Sequence, residues 1–150
     1  MAETRSFMDL ALVEAEKAAR AGEVPIGAVL ADGAGKVVAA AHNRTEADHD
    51  PTAHAELLAI RAGAKALGTT RLPECDLYVT LEPCAMCAQA ISFARIRRLY
   101  YGAPDPKGGG VENGARIFTQ ATCHHRPEVY GGIGDARAAE LLRAFFLARR

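Results

Sequence analysis

The chain has 150 residues, of which 49% are hydrophobic and 24% charged, proportions that are ordinary for a globular protein. This length predicts one domain over residues 1–150 that can bury a core of its own. The formal net charge is zero, from 18 basic and 18 acidic residues, which argues mildly against a general nucleic-acid binder. No apolar run is long enough to span a membrane, and the first residues lack the apolar segment of a signal peptide. We therefore expect a cytoplasmic protein, and the presence of four cysteines favours metal binding over disulfides.

The hydrophobic pattern predicts helices and strands that alternate along the chain. Apolar residues at helical spacing predict a first helix over 6–21, begun by a capping box at Ser6 and Asp9. The next elements expected are strands 26–31 and 36–41 as a hairpin, helix 54–67, strand 77–80, helix 84–94, strands 99–101 and 128–130, and helix 135–149. Pro104 to Gly114, with two prolines and four glycines, is predicted to form a loop near the site, here called the glycine-rich loop. Strands interleaved with helices indicate an α/β sandwich with helices on both faces of one sheet.

Two cysteines at helical spacing are the first sign of a metal site. Cys84 and Cys87 lie three positions apart, so on a helix both sulfurs face the same side. Pro83 just before them favours the first turn of a helix, and a helix N-terminus favours thiolate over thiol. The sequence therefore predicts that the sulfurs of both cysteines bind one ion at the start of a helix.

A histidine and a glutamate lie near another predicted helix start. His54 and Glu56 are two positions apart, a spacing that directs side chains to different faces in the middle of a helix. Residues 50–52, Asp-Pro-Thr, are a helix-start signal, which places both side chains in a first turn. We therefore expect two helix N-termini to converge on one zinc ion held by His54, Cys84 and Cys87. Three protein ligands leave a position for water, whose pKa zinc lowers to about 7, and Glu56 is the natural proton carrier.

A structural zinc site is the alternative to a catalytic one. Such a site uses a fourth thiolate or imidazole, and Cys75, Cys123, His124 and His125 are available. The chain has no second C-x-x-C pair, and Glu56 lies beside the histidine, so the pattern favours catalysis. A non-enzymatic, zinc-stabilised binding module remains a further alternative.

The combination of His-x-Glu at 54–56 with Pro-Cys-x-x-Cys at 83–87 resembles the signature of the cytidine and deoxycytidylate deaminase superfamily. A wider match at Asn43-Arg44, at 50–56 and at 77–87 is similar to the bacterial tRNA-specific adenosine deaminases. The resemblance runs from Glu23 to the terminal arginines. It implies a three-layer α/β/α fold with a mixed five-stranded sheet, one Zn²⁺ per subunit, and a homodimer whose subunits both frame the RNA.

The activity that this resemblance implies is hydrolytic deamination of adenosine to inosine at the wobble position of a tRNA anticodon. Glu56 is the implied general acid and base. The alternative is deamination of a free nucleobase such as guanine or cytosine, because the same metal site serves either reaction. Zero net charge fits this alternative slightly better.

The resemblance also implies contacts to the anticodon stem-loop. Asn43, otherwise a turn residue, is expected to contact the bound nucleoside. Asp105 and Lys107, otherwise exposed loop charges, are expected to hold the anticodon loop. Phe146 is a candidate to stack on an RNA base, with phosphate contacts from Arg149 and Arg150; a packed helix with a solvated tail is the equal alternative.

Two further features qualify the resemblance. At 108–113 this chain has Gly-Gly-Gly-Val-Glu-Asn where the family usually carries Gly-Ala-x-Gly-Ser, so the substrate entrance is where its specificity could differ. Arg95, Arg97 and Arg98 follow the second cysteine helix, where they either complement the helix dipole or contact phosphate or a second subunit.

Overall fold

The structure is a computed structural model that describes residues 2–149. Its helices are α1 (Ala2–Arg20), α2 (Ala55–Leu67), α3 (Ala85–Phe93) and α4 (Asp135–Leu147), with a 3-10 turn at Ile117–Thr119. Its strands are β1 (Gly27–Ala31), β2 (Val37–His42), β3 (Asp76–Leu81), β4 (Arg98–Ala103) and β5 (Glu128–Tyr130). No helix within 2–149 is long and apolar enough to cross a membrane.

The strands found in the described range form one mixed five-stranded sheet in the order β2-β1-β3-β4-β5. Strand β1 runs antiparallel to both β2 and β3, and β3, β4 and β5 run parallel to one another. In this register Val29 lies opposite Tyr78, and Leu77 lies opposite Leu99. Helix α3 makes the crossover between the parallel strands β3 and β4, as parallel pairing requires.

Helices cover both faces of the sheet, which confirms the three-layer α/β/α expectation. On one face α1 and α4 pack on the sheet through a cluster that includes Met8, Val29, Tyr78 and Ala138. On the other face α2 and α3 pack through a second cluster, which includes Leu30, Ala59, Leu77, Ile91 and Leu99. The β3 strand is buried on both faces because it lies at the centre of the sheet.

Three helix starts differ in detail from the sequence prediction. Helix α1 is already helical at Ser6, so the predicted capping box there is wrong; the apolar spacing begins later than the helix itself. The Asp50 side chain accepts hydrogen bonds from the backbone and hydroxyl of Thr52, which forms a local turn and delays α2. Pro83 lies outside α3, because Cys84 with extended backbone angles is the N-cap.

Strand β1 approaches α1 so closely that its first residue has no room for a side chain. A Cβ atom on Gly27 would lie 2.0 Å from the Ala11 carbonyl oxygen and 2.6 Å from the Ala15 nitrogen. Both are backbone atoms of α1, which cannot move aside as a flexible side chain can. The Gly27 N–H also donates to the Thr80 hydroxyl on β3 at 3.1 Å, so this glycine joins helix and sheet beside the site.

We expect Gly27→Ala to lower the free energy of unfolding by about 2–3 kcal/mol, because the helix must shift to admit the methyl group. Urea denaturation followed by circular dichroism measures this. Gly33→Ala is the matched control, since a Cβ there meets its nearest atoms at an ordinary 3.5 Å. Equal stability of both variants would contradict the close packing of α1 on β1.

Candidate metal centre and active site

The first part of the site is the start of α2. His54 is the N-cap residue, with φ −80° and ψ 149°, and its side chain does not cap the helix. The side-chain oxygen of Asn43, just beyond β2, accepts a hydrogen bond from the Ala55 N–H at 2.8 Å instead. Asn43 is 5% exposed, so this bond forms in the interior. The imidazole of His54 is thereby left free to point toward α3.

The second part is the start of α3, which β3 delivers. The strand ends at Leu81, and Cys84 follows as the N-cap of α3, with Cys87 fully buried in the first turn. The His54 Nδ1 atom lies 3.6 Å from the Cys84 sulfur and 3.5 Å from the Cys87 sulfur. The three ligand atoms all lie within 4.8 Å of one another. The prediction that two helix N-termini bring these side chains together is confirmed.

This donor set fits zinc. Two thiolates and one imidazole are ligands that zinc prefers, and three protein ligands are typical of a catalytic site. Among the side chains that the structure describes, those of residues 7–149, there is no other group of three or more histidine, cysteine or acidic residues suited to a metal. The donor chemistry and the spacing of the ligand atoms thus agree with the catalytic form of the site.

The residues that the sequence offers for a structural alternative lie outside the metal group. The Cys123 thiol donates to the His125 carbonyl at 3.1 Å and lies 3.4 Å from the Ser92 hydroxyl. The His125 Nε2 atom lies 2.6 Å from the Ile96 carbonyl, to which it donates. These contacts fasten the chain before β5 to the end of α3. Cys75 is buried at the start of β3, where burial raises the pKa of its thiol.

The sulfur and imidazole groups change one another's acidity. A hydrogen bond with Cys87, together with the contact with His54, lowers the pKa of the Cys84 thiol to about 4. The same bond raises the pKa of Cys87, and the contact with Cys84 raises the pKa of His54. Cys84 therefore carries a thiolate at neutral pH, the form that binds metal.

Glu56 occupies the first turn of α2 beside this group. It is 4% exposed, and burial raises the pKa of its carboxyl to about 7. A carboxyl with such a pKa both accepts and donates a proton near neutral pH, which is what general acid and base catalysis requires. Sequence alone predicts its position, but its burial follows from how α2 lies against the sheet.

Two adjoining cavities open onto these residues. The inner cavity, about 220 Å³, is lined by Glu56, Cys84, His54 and Glu82 among others. The outer cavity is about 670 Å³, within the usual range of roughly 300–1,000 Å³ for small-molecule sites. Residues that line both are Ile26, His54, Leu81, Asp105 and Gly108.

The residues expected to contact substrate line the outer cavity: Asn43, Asp105, Lys107 and Phe146. The Asp105 side chain is also used within the loop, since it accepts hydrogen bonds from the Lys107 and Gly108 N–H groups at 3.2 and 3.0 Å. Phe146 is 52% exposed, as a surface available for stacking requires.

The chain end and the arginines after α3 take mainly internal roles. The Arg149 guanidinium lies 3.5 Å from the Phe145 ring centroid and donates to the Phe145 carbonyl, so it caps the C-terminal end of α4. The Arg150 prediction lies outside the described residues. Arg95 donates to the Ser92 carbonyl at the end of α3, as the helix-dipole interpretation predicts. Arg97 forms a two-bond ion pair with Asp76, and Arg98 lies 3.6 Å from Glu128.

Sequence reasoning missed a buried carboxylate that organises the glycine-rich loop. Glu82, 2% exposed, accepts hydrogen bonds from four backbone N–H groups of the loop and from the Asn113 side-chain amide. Burial alone would raise the pKa of Glu82, but these bonds hold it below its ordinary value. Its position two residues before Cys84 was the available signal.

Comparison with known proteins agrees with this geometry. Residues 1–103 match the family model of the cytidine and deoxycytidylate deaminase zinc-binding region. The chain is 61% identical over all of its length to the tRNA-specific adenosine deaminase of Agrobacterium fabrum, of which it covers 98%. It is 44% identical over 91% of its length to that of Rickettsia bellii, of which it covers 94%. The chain belongs to the tRNA-specific adenosine deaminases. The matched zinc-binding region contains His54, Cys84 and Cys87.

A solved structure supports the same assignment. It comes from studies of A-to-I editing by tRNA:A34 deaminases at the wobble position of transfer RNA, and it is 62% identical. The match has a TM-score of 0.89 and covers 91% of this chain and 99% of the other. The fold expectation of a cytidine deaminase-like sheet with helices on both faces is confirmed by this likeness and by the strand order.

We expect Cys87→Ala to lose its zinc, because the variant keeps only two of the three ligands and leaves a buried gap between them. Elemental analysis of the purified protein measures zinc per chain. Cys75→Ala is the matched control, since Cys75 is also buried but lies outside the metal group, and it should keep one zinc per chain. Full zinc content in Cys87→Ala would overturn the ligand assignment.

Proposed function

We propose that this chain deaminates adenosine to inosine at the wobble position of a tRNA anticodon, in a zinc-dependent hydrolysis. The observation that carries the proposal is the meeting of His54, Cys84 and Cys87 beside the buried carboxyl of Glu56. It occurs at the floor of a cavity in a chain that is 61% identical over its full length to a tRNA-specific adenosine deaminase.

The reaction replaces the adenine amino group with oxygen from water. Zinc held by His54, Cys84 and Cys87 would acidify a water molecule and so supply the nucleophile at neutral pH. Glu56 accepts a proton from that water as oxygen bonds to C6, and it delivers the proton to the adjacent ring nitrogen. Glu56 then transfers the second proton of the water from the new oxygen on C6 to the amino group. The C–N bond breaks, and inosine and ammonia are the products. The pKa of Glu56 near 7 suits both directions of transfer.

The target base must leave the anticodon loop to reach the inner cavity. A single-stranded loop makes this step inexpensive, because its bases are only partly stacked. We assign the outer cavity to the nucleotide and its neighbours: Asn43 and Lys107 offer polar contacts, and the exposed ring of Phe146 offers a stacking surface. Asp105 supports Lys107 through the turn that its carboxylate closes.

The test is inosine formation in an anticodon stem-loop with adenosine at the wobble position, compared with ammonia release from free guanine, cytosine and adenine. We expect wild type to edit the stem-loop and Glu56→Gln to retain zinc and lose roughly 10²- to 10⁴-fold in rate, because the amide cannot carry the proton. Glu128→Gln, which alters an exposed glutamate at the far edge of the sheet, is the control.

Three outcomes would count against the proposal. Turnover of free bases with an inert stem-loop would favour the nucleobase deaminase alternative. An unchanged rate in Glu56→Gln would remove this carboxyl from the mechanism. Unaltered inosine at the wobble position in tRNA from cells depleted of the protein would contradict the cellular role.

The same proposal includes a homodimer, one domain over residues 1–150, and a cytoplasmic location. Support for one domain comes from α4, whose Ala138 joins the core cluster of α1 and the sheet. Support for the homodimer comes from a surface groove of about 500 Å³ between α2 and α3. Phe93, 64% exposed, stands in this groove beside Leu57 and Ala90. A two-fold interface would let each Phe93 fill the groove of the other subunit.

We expect Phe93→Glu to weaken the dimer by about tenfold or more, because a charge would replace the apolar anchor of the groove. Sedimentation velocity over a range of protein concentrations measures this. Phe146→Glu is the matched control, an exposed phenylalanine on α4 that lies outside the groove. A monomeric wild type, or equal sedimentation of wild type and Phe93→Glu, would contradict the proposed interface.

A further inference from the structure

We propose that Glu82 is a positioning residue that sets the affinity for substrate by fixing the glycine-rich loop as one wall of the cavity. This inference rests on the proposed function, since the substrate is the anticodon stem-loop. It assigns Glu82 no contact with the reacting atoms, so a change there should act mainly through binding.

The contacts of Glu82 extend over most of the loop. Its Oε1 atom accepts from the Asp105 N–H at 2.9 Å and from the Asn113 side-chain amide at 2.6 Å. Its Oε2 atom accepts from the N–H groups of Val111, Glu112 and Asn113 at 3.1, 2.9 and 3.0 Å. One side chain at the end of β3 thus holds both the beginning and the end of the loop.

A carboxylate suits this position better than a neutral side chain. The converging N–H groups form a concave anion-binding surface, and hydrogen bonds to a charged acceptor are stronger than neutral ones. The carboxylate accepts all five hydrogen bonds. In a glutamine at this position, the side-chain NH₂ group would replace one of the two acceptor oxygens and would face N–H groups that are themselves donors. Glu82→Gln therefore keeps the shape of the side chain and loses two or three of the five bonds.

The loop that Glu82 holds forms part of both cavities. Asp105 and Gly108 line both the inner and the outer cavity, and Lys107 lines the outer one. The turn through which Asp105 supports Lys107 begins at the residue whose N–H donates to Glu82. The Gly110 N–H donates to the Pro83 carbonyl at 2.7 Å, which ties the loop to the start of α3. Movement of the loop would therefore change the walls around the substrate.

The loop packs against Glu82 too closely for a side chain between them. A Cβ on Gly109 would lie 2.5 Å from the Glu82 Oε2 atom and 2.6 Å from the Asp105 carbonyl oxygen. This close approach gives a physical reason for glycine at 109, in the run Gly-Gly-Gly-Val-Glu-Asn that departs from the family pattern. A substitution at Gly109 therefore disturbs the contacts between Glu82 and the loop without changing Glu82 itself.

Steady-state kinetics on the anticodon stem-loop separate a positioning role from a merely structural one. We expect Glu82→Gln to raise KM by about tenfold and to change kcat by less than about threefold, with one zinc per chain retained. Hydrogen exchange of the zinc-loaded protein should become about tenfold faster at the amides of 105–113, and remain unchanged in α2. Asp76→Asn is the matched control, because Asp76 is a buried carboxylate paired with Arg97 away from the cavities.

Gly109→Ala keeps the inference testable if Glu82→Gln folds poorly or loses zinc. It should reproduce the rise in KM and the faster loop exchange, while Gly33→Ala changes neither. Unchanged loop exchange in Glu82→Gln, or an unchanged KM in a folded Gly109→Ala, would overturn the inference. So would an equal rise in KM in Asp76→Asn, since loss of stability alone would then suffice.

Failure of this inference is distinguishable from failure of the proposed function. A wild-type protein that leaves the stem-loop unedited contradicts the function, whatever the variants do. Hydrogen exchange reports on the loop without any substrate, so unchanged exchange in Glu82→Gln contradicts the anchor even in a fully active deaminase.

Discussion

The hydrogen bond from the Ala55 N–H to the Asn43 side chain determines where α2 begins, and the metal group depends on it. An N-cap side chain ordinarily accepts a hydrogen bond from the first turn of its helix. His54 occupies the N-cap position but its imidazole is turned toward Cys84 and Cys87. Asn43 supplies the missing acceptor from outside the helix. A ligand can therefore stand at the helix start without leaving a buried N–H unpaired.

The sheet brings the second helix start to the same place. Strands β2 and β3 lie on either side of β1 and both run antiparallel to it, so their carboxyl ends lie at the same edge of the sheet. Strand β2 leads to Asn43 and then to α2, and β3 leads to α3. This arrangement explains why ligands thirty and more residues apart in sequence lie within 4.8 Å. Close packing at Gly27 and the bond from Gly27 to the Thr80 hydroxyl hold β1 and β3 in register beside the site.

Buried carboxylates secure the two loops around the outer cavity. Glu23, 2% exposed, accepts from the N–H groups of Glu46 and Ala47 and so fixes the loop that contains Thr45. Glu82 does the same for the glycine-rich loop on the other side. A buried charge is costly unless it is fully hydrogen-bonded, and backbone N–H groups of an irregular loop lack partners of their own. The loop N–H groups stabilise the buried carboxylate, and the carboxylate gives these N–H groups a hydrogen-bond acceptor. Each loop is thereby held in one shape.

The sequence predicts local order well and these long-range partners poorly. Hydrophobic spacing leads to the element order, and the two short motifs lead to the four residues at the metal group, because each signal is contained in a few adjacent positions. The mixed five-stranded sheet is instead an expectation from the family resemblance. The position of Glu82 beside Cys84 indicates only that it lies near the site. Adjacent positions do not reveal the partners of Glu82 or Glu23, since these partners are backbone groups of distant loops and every residue type except proline has a backbone N–H. The capping box predicted at Ser6 and the first-turn position predicted for Pro83 are wrong for a related reason: helix termini are set by backbone geometry as much as by residue type.

Because the net charge is zero, we expect RNA recognition to depend more on the shape of the loops than it does in a strongly basic protein. A strongly basic protein draws nucleic acid through many phosphate contacts, and that attraction tolerates an imprecise surface. Here several arginines are paired with acids of the same chain, as Arg97 is with Asp76, Arg137 with Glu16 and Arg44 with Asp48. Fewer cations then remain for phosphate, and recognition must come more from the walls of the cavity. A wall of small residues keeps its shape only if its backbone is held, and Glu82 holds it.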